Sequence, residues 1–203
     1  MNRACLTLLV SFSALLRLEA AEFQPKTLPL GSPAPDFSLP GVDGRSYALK
    51  DFAPAKILVV VFTCNHCPTA QYYEERLKQL ATDYKDRGVA MAPIMPNDAK
   101  SVRLDELGWT DLSDSFQEMK IRARDRGFNF PYLFDGDTEA VARAYGPAAT
   151  PHVFVFDAAR KLRYVGAIDD SERVQHVTKH YVRDALDALL AVHEPPVTKT
   201  KVV

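Results

Sequence analysis

The stretch from Ile57 to Pro68, Ile-Leu-Val-Val-Val-Phe-Thr-Cys-Asn-His-Cys-Pro, constrains the fold more than any other part of the chain. Its first half, Ile57 to Phe62, is apolar without alternation and rich in β-branched side chains. That pattern belongs to a strand buried on both faces, as at the centre of a parallel sheet. Cys64 and Cys67 follow, with Asn65 and His66 between them, and Pro68 stands where a helix begins. Proline is accepted there because the first helical N–H has no partner to lose. A thiol at such a helix N-terminus faces unpaired N–H groups and the positive end of the dipole, which favours its thiolate. Strand, Cys-x-x-Cys and helix together describe a dithiol–disulfide redox centre. Two buried structural thiols are the plain alternative.

The 203 residues suffice for one domain with a sizeable core, and the net charge of −1 offers no basic excess for nucleic acid. Residues 1–20 differ from the rest. Arg3 precedes an apolar run from Ala4 to Leu16, and Leu18-Glu19-Ala20-Ala21 supplies small residues for cleavage. This is the pattern of a secretory signal peptide, with an uncleaved anchor as the alternative. The expected location is therefore exported, periplasmic or otherwise extracytoplasmic, with no membrane contact after cleavage. Cleavage removes Cys5 and leaves Cys64 and Cys67 alone. A disulfide between them closes a very small loop and removes little chain entropy, so it suits a redox switch better than a staple.

The remaining chain reads as an extended lead-in over 21–30, a domain over 31–193 and a disordered Lys-rich tail over 194–203. Prolines keep Gly31 to Leu39 extended, and the turn Val42-Asp43-Gly44-Arg45 before Ser46 to Leu49 predicts a hairpin. Ala70, Tyr73, Leu77, Leu80, Ala81 and Tyr84 mark the inner face of a helix after Pro68, with Glu74 and Lys78 paired on its outer side. Val89 to Ile94 is a second strand, closed off by Pro93 and Pro96. Ser113 or Asp114 caps a helix reaching Arg124, with Phe116, Met119 and Ile121 inward and Arg122 to Arg126 as a charged face. A strand over Phe130 to Phe134 and a short helix over Thr138 to Tyr145 follow. Val153 to Phe156 and Leu162 to Gly166 form a second hairpin, and a last helix runs from about Ser171 to Val192. Val174, Val177, Tyr181, Ala185 and Leu189 form its inner face.

Three features carry a family resemblance: Cys-Asn-His-Cys-Pro after a buried strand, Thr150-Pro151 before another, and the leader Gly31-Ser-Pro-Ala-Pro-Asp-Phe-Ser-Leu39. The chain resembles thioredoxin-superfamily redoxins of the AhpC/TSA and TlpA types, closest to peroxiredoxin-like proteins that carry CxxC. The resemblance implies an α/β thioredoxin-like fold: a central mixed sheet flanked by helices, with an N-terminal β-hairpin extension. It implies a thiol–disulfide oxidoreductase, monomeric, without organic cofactor, acting on protein thiols and disulfides. Cys64 is then the exposed nucleophile and Cys67 the buried resolving thiol. Thr150 offers its backbone to an extended partner segment, and Pro151, in a cis peptide, shapes the groove. Two departures count against a peroxiredoxin. Cys64 occupies the position of that family's threonine, and Pro151 stands where its arginine, six residues before the aspartate that ends the strand, is expected.

His66 is either a surface residue or a local positive charge that favours the Cys64 thiolate, as in DsbA-type proteins that resemble this chain here. His152, beside the expected cis-proline, opens a Sco-like alternative in which Cys64, Cys67 and His152 bind a soft metal. Those copper chaperones use a CxxxC spacing, so no metal ligand is assigned. Thioredoxins and TlpA-type proteins also keep a buried carboxylate near the dithiol. The apolar strand before Cys64 offers none.

Overall fold

The computed structural model describes residues 26–100, 102, 105, 106, 108 and 110–202. The expected signal peptide lies outside the described residues. Five strands form one mixed sheet in the order β5-β4-β3-β6-β7. They are β3 (Ile57–Phe62), β4 (Val89–Met95), β5 (Leu133–Phe134), β6 (His152–Phe156) and β7 (Leu162–Gly166). β4 runs parallel to both β3 and β5, whereas β6 is antiparallel to β3 and to β7. β1 (Ser38–Pro40) and β2 (Ser46–Ala48) make the N-terminal hairpin, joined to the β5 edge where Val42 N–H donates to Tyr132 O at 3.0 Å.

Every residue of β3 is buried, because two long helices cover one face of the sheet, and the N-terminal segments with residues 141–145 cover the other. Ile57, Val59 and Val61 pack with Tyr73, Leu77 and Leu80 of α1 (Pro68–Tyr84) and with Val182, Ala185 and Leu186 of α4 (Tyr181–Leu190). Leu58, Val60 and Phe62 point the other way, onto Phe37, Leu39, Phe52 and Tyr145. A third apolar cluster sits at the C-terminal end of the parallel strands, where α2 (Phe116–Asp125) places Met119 against Met95, Tyr132 and Cys64. α3 (Ala140–Tyr145) completes the helices.

Several elements depart from the sequence reading, each for an identifiable reason. Pro93 lies inside β4, opposite Val61. Ile94 O accepts from Thr63 N–H on the β3 side, so the Pro93 nitrogen faces the β5 side, where pairing starts only at Ile94. Its missing N–H therefore costs no ladder bond. Glu74 is buried rather than outward, because Arg122 crosses from α2 with Nε 2.7 Å from its carboxylate. Lys78 pairs with Glu75 instead, at 2.7 Å, and Ile121 is on the exposed side of α2. The last helix begins only at Tyr181, since residues 170–179 loop around Asp170. Its carboxylate accepts from Thr178 N–H at 2.9 Å and Lys179 N–H at 3.1 Å, which leaves Val174 exposed.

The tail expected to be disordered instead follows β7. Val165 N–H donates to Thr198 O at 3.0 Å and Thr200 N–H donates to Val165 O at 3.1 Å. Gly166 permits this approach: it holds φ +150°, and a Cβ there would collide with Thr200 Oγ1.

Candidate active site

The loop 63–67 turns the chain from β3 into α1 and is tied down on several sides. Thr63 N–H donates to Ile94 O at 3.0 Å. Gln71 reaches back from α1 with Nε2 2.7 Å from Asn65 O. Cys67 is the N-cap of α1 and Pro68 its first residue, as the sequence spacing requires. Thr150–Pro151 is a cis peptide, and it brings Thr150 against both sulfurs. Thr150 Oγ1 is 3.1 Å from Cys64 Sγ, and Thr150 O is 3.6 Å from Cys67 Sγ.

The two cysteines differ in the opposite sense from the one the family resemblance implies. Cys64 is only 3% exposed, closed in by Met95, Met119 and Tyr132, while Cys67 is half-buried. The Cys64 thiol donates to Cys67, which lowers the Cys67 pKa to about 5. Burial opposes that shift, and the N–H groups of Ala70 and Thr69 in the first turn of α1 assist it. Cys64 is held well above an ordinary thiol by the same hydrogen bond, by burial and by the charge of Asp114. The helix N-terminus thus favours the anion on Cys67, whose Sγ in its thiol form donates to Thr150 O.

Asp114 is the residue that sequence reasoning missed. It is fully buried and receives four hydrogen bonds. Oδ1 accepts from Asn65 N–H at 2.9 Å and His66 N–H at 3.1 Å. Oδ2 is 2.6 Å from His66 Nδ1 and accepts from Asn97 Nδ2 at 2.7 Å. A carboxylate offers about four lone-pair sites, so this one is saturated. Asn65 adds a bond from its Nδ2 to Ser113 O at 2.7 Å and accepts from Tyr132 OH at 3.3 Å. His66, paired with Asp114, has its pKa raised by that hydrogen bond against a lowering by burial. The α2 cap is Ser115, whose Oγ accepts from Glu118 N–H at 3.3 Å. The Ser115-x-x-Glu118 spacing of a capping box is the signal that frees Asp114 from capping.

His152 is not part of the dithiol cluster. It is buried in β6, accepts from Ala148 N–H at 3.1 Å through Nδ1 and packs on Phe154. Burial lowers its pKa to about 4, with help from the charge of Lys199. The grouping that does form is Cys64, His66 and Asp114, with one N, O or S atom from each within 4.8 Å of the others. Its carboxylate and Nδ1 are already engaged by the hydrogen bonds just described. A cleft of about 430 Å³ lies beside the dithiol loop, with His66 and Thr150 in its wall.

A central mixed sheet, a CxxC at a helix N-terminus and a cis-proline facing it define a thioredoxin-like protein. The pattern of the Redoxin family matches residues 29–182, and the chain belongs to that family. A hypothetical protein of Sinorhizobium meliloti 1021 is 32% identical over 90% of this chain and 95% of its own, with a TM-score of 0.77. An uncharacterized conserved protein of Geobacillus kaustophilus is 39% identical, covering 85% of this chain and 87% of its own, with a TM-score of 0.75. A putative thiol:disulfide interchange protein DsbE of Chlorobium tepidum shares the fold at 22% identity over 68% of this chain and 85% of its own, with a TM-score of 0.56. No curated protein matches the sequence.

Proposed function

We propose that this protein is an exported thiol–disulfide oxidoreductase in which Cys67 attacks and Cys64 resolves. The observation that carries the reading is the accessible Cys67 thiolate at the α1 N-terminus, with Cys64 beneath it. The Cys67 thiolate attacks one sulfur of a partner disulfide, forming a mixed disulfide and releasing the other partner sulfur as a thiolate. Cys67 can no longer hold the Cys64 proton, which passes to the released thiolate. The new Cys64 thiolate attacks Cys67 Sγ, closes the Cys64–Cys67 disulfide and expels the second partner thiolate. Two electrons move to the partner, and the reverse sequence oxidises it. Thr150 and Pro151 shape the groove for the partner's extended segment, as in the family. The residues 1–20 support export.

Trapping tests the assignment. Cys64→Ser keeps the attacking thiolate and removes the resolver, so it should accumulate mixed disulfides with partner proteins, while Cys67→Ser should trap few. Adducts formed only by Cys67→Ser would reverse the roles.

One observation favours a second reading. Cys67 before Pro68 is the position that peroxiredoxins use, and it is the ionised cysteine here. A peroxide would then oxidise Cys67 to the sulfenic acid, and Cys64 would condense with it, releasing water. Pro151 stands where that family's arginine is expected, so peroxide consumption should be no faster than for an ordinary exposed thiolate. Fast turnover with a thiol reductant would favour this second reading.

A further inference from the structure

We propose that His152 is a positioning residue for disulfide exchange, anchoring residues 148–150 to the central sheet so that Thr150 and Pro151 keep their place beside the sulfurs while these react. This rests on the dithiol reading above, and it goes beyond it by naming what holds the partner's groove. Thr150 is tied to the dithiol by two contacts, its Oγ1 3.1 Å from Cys64 Sγ and its carbonyl oxygen 3.6 Å from Cys67 Sγ. Both ties are made to reacting atoms. The bond from Cys67 to Thr150 O needs the thiol proton, so it is lost when Cys67 ionises to attack. Closing the Cys64–Cys67 disulfide removes the Cys64 proton as well and draws both sulfurs to bonding distance. Contacts that the chemistry dissolves do not keep a groove in shape through a reaction cycle.

Among the described residues, the other hydrogen bond of residues 148–150 runs from Ala148 N–H to His152 Nδ1 at 3.1 Å. It brackets Thr150 and Pro151 and touches no sulfur, so it persists through every step of the exchange. The imidazole is a firm anchor. His152 is 3% exposed and opens β6, which lies inside the sheet between β3 and β7. Its backbone stands opposite Phe62 in the β3–β6 register. Its ring lies 4.7 Å from that of Phe154, which is itself packed on Phe62 and Tyr145. Ala148, by contrast, is exposed, and its methyl group is too small to fix it by packing. Accepting through Nδ1 leaves the ring proton on Nε2, the neutral form, and burial and the charge of Lys199 both favour that form.

Two substitutions separate the acceptor from the bulk of the ring. Asparagine carries its oxygen on Cγ, where histidine carries Nδ1, and can take the Ala148 N–H; glutamine carries its oxygen one atom further out and misses it. Reduction of insulin disulfides should lose about tenfold or more in kcat/KM in His152→Gln and stay within about threefold of the wild type in His152→Asn. Brief alkylation of Cys67 by iodoacetamide, which needs no groove, should differ by less than about threefold among the three proteins. A merely structural role would slow both variants alike, or move labelling and turnover in parallel; either result overturns the proposal, as does a His152→Gln protein as fast as the wild type. Should His152→Gln fail to fold, amide exchange on the wild type decides. Ala148 N–H should exchange at least about tenfold more slowly than Ala149 N–H in both the reduced and the disulfide forms. Equal rates, or protection in the reduced form alone, overturn the proposal. Amide exchange does not depend on turnover. A wild type that protects Ala148 in both forms but cannot reduce insulin would sink the functional reading and leave the anchor standing.

Discussion

Two of the buried carboxylates, Glu74 and Asp114, are handled in opposite ways. Glu74 of α1 meets a permanent cation: Arg122 Nε lies 2.7 Å from Oε1, and Arg126 Nε 3.7 Å from Oε2. Asp114 meets three neutral donors and one imidazole. The first arrangement cancels a charge and ties α1 to α2. The second leaves a charge in place, beside a sulfur, with a partner that titrates. Burial of a carboxylate therefore says little about its role until its partners are named.

The largest expected effect breaks the Glu74 side. Arg122→Ala leaves Glu74 inside with only the more distant Arg126, and should cost about 3 kcal/mol of stability in urea unfolding. Replacing the pair together, Glu74→Gln with Arg122→Met, should recover most of that loss. A single variant as stable as the wild type would show that the pair is not needed to hold the helices.

The matching change on the other side should be milder. His66→Ala removes one of four donors from Asp114 and should cost about 1 kcal/mol, because the two backbone N–H groups and Asn97 remain. A loss as large as that of Arg122→Ala would mean that His66, rather than the loop backbone, holds the carboxylate.

The smallest effect is a difference in pH response. The folded His66 pKa is raised, so the stability it contributes is complete below the unfolded value near 6.5 and is lost as pH rises through the folded value. Unfolding midpoints should therefore fall slightly as pH rises from about 6.5, and the fall should vanish in His66→Gln. Arginine side chains stay charged in proteins, so Arg122→Ala should retain the same slope. A slope unchanged in His66→Gln would remove the linkage from this pair.

What the sequence disclosed follows the same division between local and distant causes. The apolar run Ile57 to Phe62, the cap at Cys67-Pro68 and the Thr150-Pro151 pair are written within a few residues, and each stands where the local pattern puts it. The polarity of the cysteines was not legible, although one of its physical causes, the helix N-terminus, was. The dipole argument concerns whichever thiol caps the helix, and that thiol is Cys67, while family resemblance and the place of Cys64 at the strand end both pointed to Cys64. Asp114 and Arg122 were hidden for a different reason. Glu74 lies 48 residues from Arg122 and Asn65 lies 49 from Asp114, and no local periodicity marks either pairing. The tail was misjudged on composition, since its Lys and Thr residues carry no apolar signal and bind through backbone and hydroxyl groups.

That tail has a consequence for how a partner can approach. The outer edge of β7 is paired along its start by the N-terminal segment, where Leu162 N–H donates to Ser32 O at 2.9 Å and Gly31 N–H donates to Leu162 O at 2.8 Å. Along its end the edge is paired by residues 198–200, and the opposite edge is a two-residue β5 joined to the hairpin at Gly41. An open strand is a template for any extended chain, including unfolded substrates that a disulfide enzyme meets constantly. With both borders of the central sheet occupied by the protein's own termini and hairpin, a client chain finds no free border of that sheet among the described residues. Under the disulfide exchange proposed above, that leaves a client's backbone the short stretch beside the sulfurs, so encounters far from the chemistry would not be rewarded with binding.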